Sequence, residues 1–84
     1  MASVEDRVKD VVHRVLGVDR EWIRPEHSFT EDLGAESVQS VELVAAFEEA
    51  FELEMDEEGA LEVQTVGGAV DYIRKQCEEQ GIEV

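Results

Sequence analysis

Ser37 is the residue whose type and position could most readily do chemistry. It follows a loop that ends at Gly34, and it stands where an amphipathic, acidic helix is predicted to begin. The start of a helix presents unpaired backbone N–H groups and the positive end of the helix dipole, and both favour phosphate and other anions. A serine that merely caps the helix has the same sequence pattern. The pattern alone leaves both interpretations open.

The other chemically capable side chains do not form a catalytic or metal-binding pattern. His13 falls on the polar face of the first predicted helix, and His27 falls in a loop with no cysteine or second histidine at metal-ligand spacing. Cys77 has acidic neighbours, which would not activate a thiol, and as the single cysteine it forms no internal disulfide. We therefore predict no catalytic residue, no metal site and no enzyme activity, and we expect a reducing, cytoplasmic location.

The charge is extreme and unevenly distributed. The 84 residues include 22 acidic and 7 basic side chains, for a net charge of −15. Residues 25–73 hold 14 of the acids and no lysine or arginine. Such a field repels nucleic acid and anionic membrane surfaces and attracts basic protein surfaces. Apolar side chains recur periodically in the same window, so we predict a folded segment rather than a disordered acidic tail.

Hydrophobic periodicity predicts an all-α fold in a single domain, residues 1–84. The pattern indicates a small four-helix bundle with three longer helices and a short third helix. We expect the protein to be a monomer. The predicted elements are residues 3–16, residues 37–51, a short helix capped by Asp56, and residues 66–79 capped by Thr65. No apolar run approaches the length of a membrane span, so we expect no membrane insertion.

Two further features constrain the packing. Pro25 bars a helix through residues 18–36, and we expect Trp22, Ile23, Phe29 and Leu33 to hold this long loop against the core. The pair Gly67-Gly68 weakens the last helix and so needs a reason. Close packing of the short helix is one possible reason, and room for an inserted ligand is another.

The second predicted helix has two apolar faces. At 100° per residue, the core face is formed by Leu43, Val44, Phe47, Ala50 and Phe51. Val38, Val41 and Ala45 group on roughly the opposite side, and carboxylates border them. A small apolar strip rimmed by charge is typical of a transient binding surface, although a solvated face with scattered aliphatic residues would have the same pattern.

Three stretches resemble the acyl carrier protein family with family-like spacing. They are FTEDLGAESVQSVELV (residues 29–44), FEEAF (residues 47–51) and TVGGAVDYI (residues 65–73). The resemblance, which extends to the valine-rich first helix, implies a four-helix carrier. It further implies that a phosphopantetheinyl transferase attaches 4′-phosphopantetheine from coenzyme A to Ser37. The thiol of that arm would hold acyl groups as thioesters. Ser40 is a fallback attachment site that points closer to the core face.

The resemblance also implies a docking surface and an acyl pocket. The implied docking residues, which coincide with the strip found from helical angles, are Glu36, Val38, Val41, Glu42, Ala45, Glu48 and Glu49. The partners would be acyl ligases, synthases or acyltransferases with basic surfaces. The candidate pocket walls are Phe29, Phe47, Ala60, Leu61, Val63 and Ala69, each of which could equally be plain core.

The chain departs from the family at the serine. Glu36-Ser37-Val38 replaces the usual Asp-Ser-Leu, which keeps the charge and the apolarity but changes the shape. We expect that Ser37 is still modified with phosphopantetheine and that the preference for partner enzymes differs. This is the behaviour of a specialised carrier for fatty-acid, polyketide or other lipid synthesis. Two alternatives remain open at this point: an aminoacyl or peptidyl carrier, and an unmodified acidic adaptor.

Overall fold

Four α-helices and one 3₁₀ turn make up the regular structure of residues 3–82 in the computed structural model. The helices are α1 (Val4–Leu16), α2 (Ser37–Phe51), α3 (Glu57–Leu61) and α4 (Val66–Glu79), and the 3₁₀ turn is Arg20–Trp22. The predicted all-α four-helix bundle with a short third helix is confirmed. Residues 1, 2, 83 and 84, which the single-domain prediction includes, lie outside the described residues.

Side-chain caps explain where the longer helices begin and end. The Ser3 hydroxyl accepts a hydrogen bond from the Asp6 N–H at 3.1 Å, and α1 stops at Gly17, which adopts φ 72°. The Thr65 hydroxyl accepts from the Gly68 N–H at 3.1 Å and so caps α4. Asp56 occupies the N-cap of α3, as predicted, but its side chain makes no capping hydrogen bond. Of the five residues of the third helix, only Ala60 is buried.

The core lies between α1, α2 and α4. Val8, Val12, Val66, Ile73 and Cys77 have no exposed surface. The predicted core face of α2 is confirmed. Four of its side chains are buried, namely Leu43, Val44, Phe47 and Phe51, and Ala50 is half-buried. The helical periodicity of the sequence therefore gives the correct inward direction of α2. None of the helices within residues 3–82 has the length and apolarity needed to span a membrane.

The loop of residues 18–36 is fixed to the core by three of the four expected anchors. Ile23, Phe29 and Leu33 are buried. The prediction for Trp22 is wrong, because its side chain is 49% exposed. The 3₁₀ turn that contains Trp22 buries none of its residues, and the indole instead packs on the ring of His27, with 4.5 Å between centroids. The adjacent Ile23 takes the inward position.

Backbone hydrogen bonds tie the same loop to the start of α4. The Phe29 N–H donates to the Gln64 carbonyl at 3.0 Å, and the Gly67 N–H donates to the Pro25 carbonyl at 2.8 Å. A Cβ on Gly67 would lie 3.1 Å from that Pro25 oxygen, and one on Gly68 would lie 3.2 Å from the Val63 side chain. Of the two possible reasons for the glycine pair, the structure supports close packing. The close neighbour of Gly67 is Pro25 in the long loop and not the short helix.

Candidate functional site

Ser37 is the first residue of α2 and is exposed. The N-cap position belongs to Glu36, whose backbone is extended and whose N–H donates to the Gln39 side chain at 2.9 Å. The capping role that Ser37 could have filled therefore falls on its neighbour. The Ser37 hydroxyl is left at the surface beside the N–H groups of the first helical turn, which have no acceptors within a helix.

Ser40, the fallback attachment site, has a different environment. Its side chain is half-buried, and its hydroxyl donates to the Glu36 carbonyl at 3.3 Å. It also faces the cavity described next. Ser40 is thus both less accessible than Ser37 and occupied by a backbone hydrogen bond.

A cavity of about 100 Å³ lies between the long loop, α2, α3 and α4. All six candidate pocket residues line it: Phe29, Phe47, Ala60, Leu61, Val63 and Ala69. Four of the six are buried, Val63 is half-buried and Leu61 is 43% exposed at the rim. None of the described residues that line the cavity carries a charge. Its interior can therefore receive an apolar group without burying a charged side chain of the wall.

The sequence analysis missed part of this lining. The additional wall residues are Thr30, Ser40, Leu43, Val44, Met55, Gln64, Tyr72 and Ile73. Their spacing carries a usable signal: Ser40 and Val44 follow Ser37 by three and seven residues, and such residues share one face of a helix. Two of the lining residues therefore lie on the helix face on which Ser37 stands. Tyr72 and Ile73 likewise follow Ala69 by three and four residues.

The side of α2 that faces away from the core presents the predicted strip to solvent. Val38 is 67% exposed and Val41 is 45% exposed. The remaining predicted docking residues that are exposed are Glu36, Glu42, Ala45 and Glu49. Glu48 differs, because it is half-buried and its carboxylate accepts the Met55 N–H at 3.1 Å. This carboxylate holds the segment between α2 and α3 and is less free than its neighbours to meet a partner.

The carboxylates on α2 and α3 have no cationic partners within residues 3–82. The two salt bridges there join Lys9 to Glu5 at 3.6 Å and Arg20 to Asp10 at 2.9 Å, so both involve α1. The negative field over α2 and α3 is consequently not neutralised by the chain itself. Burial, followed by the nearby Asp56 carboxylate, raises the pKa of the Tyr72 phenol above its ordinary value of 10.0.

The histidines and the cysteine make structural contacts. The Nδ1 atom of His13 lies 2.7 Å from the Val18 carbonyl, and Nδ1 of His27 accepts the Arg24 N–H at 3.1 Å. The Cys77 thiol is buried, and its burial raises its pKa against the opposing effect of Arg7. Across the described part of the chain, no cluster of three potential metal ligands occurs.

Residues 6–73 match the family model described as the phosphopantetheine attachment site. This match covers most of the chain. The chain belongs to the phosphopantetheine attachment family. A member of this family is a carrier domain, on which 4′-phosphopantetheine is covalently bound and with which transferases and synthetic enzymes interact. The chemistry that the bound group supplies is a terminal thiol for holding cargo.

The residues of this carrier fit such a group at the start of α2. The exposed Ser37 hydroxyl could form the phosphodiester link, and the N–H groups of Ser37 and Val38, which have no acceptor within the helix, favour the phosphate. The apolar cavity is lined by Ser40 and Val44, which lie on the same face of α2 as Ser37. The site is thus suited to holding a phosphate outside and an apolar group inside.

Proposed function

We propose that this carrier holds acyl intermediates as thioesters on a phosphopantetheine arm attached to Ser37. The observation that carries the proposal is the position of a cavity without charged walls on the helix face that begins at Ser37. On attachment, the Ser37 oxygen bonds to the phosphorus of coenzyme A, adenosine 3′,5′-bisphosphate leaves, and the hydroxyl proton passes to a base of the transferase. Ser37 is thus a substrate and no catalyst.

The cavity favours acyl cargo over aminoacyl cargo. An aminoacyl group carries an ammonium, and burying a charge without a partner is costly. The polar groups in the lining are the uncharged side chains of Thr30, Ser40, Gln64 and Tyr72. None of these can neutralise a cation, whereas the surrounding aliphatic and aromatic walls stabilise a hydrocarbon chain. This contrast supports fatty-acid, polyketide or other lipid synthesis over peptide synthesis.

The exposed strip on α2 supports docking to enzymes with basic surfaces. Val38 and Val41 offer a small apolar contact, and carboxylates such as Glu42 and Glu49 surround it. Unpaired charges accelerate association with a partner enzyme, and a small contact area permits rapid dissociation from it. Both properties suit a carrier that visits successive enzymes. A reducing, cytoplasmic setting and a monomeric state accord with the single thiol and with the strong negative charge.

Mass spectrometry of the intact protein tests the attachment. The carrier is incubated with coenzyme A and a broad-specificity phosphopantetheinyl transferase, alongside Ser37→Ala and the matched control Ser40→Ala. We expect one phosphopantetheine-sized addition to the wild type and to Ser40→Ala, and none to Ser37→Ala. An addition of phosphopantetheine to Ser37→Ala would show that another residue is the attachment site. No addition to any of the three proteins would favour the unmodified adaptor.

A second comparison tests whether the carrier is specialised. Glu36 and Val38 flank the serine where the family usually has Asp and Leu. We expect a standard fatty-acid synthase set to charge and turn over this carrier slowly, and Glu36→Asp combined with Val38→Leu to raise the rate. Normal turnover of the unaltered carrier would argue for a housekeeping role instead.

A further inference from the structure

We infer that Gln39 is a positioning residue for the serine that carries phosphopantetheine. Its side chain fixes the backbone next to Ser37 and, because it is uncharged, leaves the positive end of α2 to the phosphate. The inference rests on the proposed function, because it concerns the form of the protein in which Ser37 is modified. It adds a residue that supports this form without touching the cargo.

Hydrogen bonds fix the backbone on the amino-terminal side of Ser37. The Gln39 Oε1 atom accepts the Glu36 N–H at 2.9 Å, and the Glu36 carboxylate engages the Gln39 N–H in return, which makes a capping box. The Glu36 carbonyl accepts the Ser40 N–H at 2.9 Å. Both main-chain polar groups of Glu36 thus have partners in the first turn of α2. The direction in which the chain enters Ser37 therefore depends on Gln39.

The first turn of α2 differs in charge from the first turns of α1 and α3. Glu5 and Asp6 lie in the first turn of α1, and Glu57 and Glu58 lie in that of α3. Acids are favourable there because they face the positive end of the helix dipole. The first turn of α2 has no acid, although a capping box accepts glutamate as well as glutamine at the position of Gln39.

Packing explains the same lack of an acid in α4 but not in α2. In the first turn of α4, Val66 is buried, and a Cβ on Gly67 or Gly68 would press on its neighbours. In α2, by contrast, Ser37 is exposed and the side chain at position 39 already makes the capping contact that a glutamate would make. A carboxylate would therefore fit at position 39.

Two electrostatic reasons for an uncharged residue remain. A carboxylate at position 39 would repel the phosphate on Ser37, which occupies the same end of the helix. It would also repel the Glu36 carboxylate three residues earlier. The first repulsion exists only in the modified protein, whereas the second exists in both forms. A comparison of the two forms therefore separates these reasons.

The experiment measures how modification changes the melting temperature of four proteins. They are the wild type, Gln39→Glu, Gln39→Ala and Gln76→Glu, each melted unmodified and after full loading with phosphopantetheine verified by mass spectrometry. Gln76 is the matched control, because it is also a half-buried helical glutamine whose Oε1 atom accepts a hydrogen bond, here from Gln80 at 3.1 Å. Gln80 also bonds the backbone of Glu54, so this control lies toward the opposite end of α2 from Ser37.

We expect the change on modification to be less favourable in Gln39→Glu than in the wild type. The difference should be about 2–4 °C at 0.01 M salt and should disappear toward 1 M salt, where charges are screened. Repulsion from Glu36 cancels in this difference, because it acts in both forms. Gln39→Ala should lower the melting temperature of both forms equally, since it removes the hydrogen bond and adds no charge. Gln76→Glu should change on modification as the wild type does.

Three results would overturn the inference. Equal changes on modification in the wild type and Gln39→Glu would leave repulsion from Glu36 as the reason for the uncharged residue. Equal effects of Gln39→Glu and Gln76→Glu would mean that net charge alone explains the result. An unchanged melting temperature in Gln39→Ala would show that Gln39 does not fix the backbone. Failure of the wild type to be loaded at Ser37 would instead overturn the proposed function.

Discussion

The guanidinium carbon of Arg7 lies 4.2 Å from the centroid of the Phe51 ring. The same guanidinium donates to the carbonyl of Ala50, so a cation of α1 covers the carboxyl end of α2. No lysine or arginine lies in the last turn of α2 itself. The contact therefore combines a cation–π interaction with a favourable charge at the negative end of a helix.

Arg7→Met should lower the free energy of unfolding by about 1–2 kcal/mol, because both of these interactions are lost. Urea denaturation at moderate ionic strength measures the change. Arg74→Met removes the same charge from an exposed position on α4 and is the control. Equal losses in the two variants would mean that net charge alone, and not the contact with Phe51, explains the effect.

Two glycine substitutions should have opposite effects. A Cβ on Gly59 would lie 3.4 Å from the Asp56 carboxylate and from the Tyr72 hydroxyl, which is ordinary contact with movable side chains. Gly59→Ala should therefore stabilise the protein by about 0.5–1 kcal/mol through better helix propensity. Gly67→Ala should be destabilising, because its Cβ meets the hydrogen-bonded Pro25 carbonyl at 3.1 Å. Urea denaturation of both variants checks the signs, and stabilisation by Gly67→Ala would refute the tight fit.

Salt should raise the melting temperature by several degrees. The acidic side chains of residues 25–73 have no lysine or arginine among them, and the two salt bridges within residues 3–82 involve α1. The screening length falls from about 30 Å at 0.01 M salt to about 3 Å at 1 M, which removes most of the repulsion. Calorimetry across sodium and magnesium chloride titrations measures the effect. A melting temperature that does not change with either salt would refute self-repulsion.

Charge removal gives an independent check of the same electrostatics. Glu49 lies near the carboxyl end of α2, where a negative charge opposes the helix dipole. Glu57 lies in the first turn of α3, where a negative charge is favourable. Glu49→Gln should therefore raise the low-salt melting temperature more than Glu57→Gln does, although both remove one unit of repulsion.

Alkaline pH should destabilise the fold through Cys77. Burial raises the pKa of this thiol above its ordinary value of 9.0, so the folded protein keeps the proton after the unfolded chain has begun to lose it. The stabilisation is fully present below about pH 9 and is lost as the pH rises toward the folded pKa. The free energy of unfolding should fall over this range, and less steeply in Cys77→Ala. Identical slopes from urea denaturation would contradict the buried thiol.

The sequence predicted the features that depend on periodicity and local capping. The apolar spacing of α2 gave its buried face correctly, and Ser3, Gly17 and Thr65 marked helix ends through hydrogen bonds or a left-handed backbone. Such features involve residues within a few positions of one another. They are therefore visible in one sequence without knowledge of the tertiary structure.

The predictions from sequence failed for features that depend on tertiary contacts. The indole of Trp22 was expected in the core, yet its neighbour Ile23 fills that place and His27 supplies the only aromatic contact of the indole within residues 3–82. The reason for Gly67 likewise depends on Pro25, more than forty positions away. Three of the missed residues of the cavity wall, Thr30, Met55 and Gln64, were missed for the same cause, because they join it from loops of no regular pattern.

The backbone pairing between the long loop and α4 determines where this protein can be re-engineered. Residues 25–29 are joined to residues 64–67 through hydrogen bonds that use main-chain atoms, so a change of side chain does not release them. An insertion after Phe29 would alter the length of chain between that fixed point and Ser37 and would move the serine relative to the cavity. Fusion partners and inserted tags therefore belong outside the segment between Phe29 and Ser37, where the serine keeps its place.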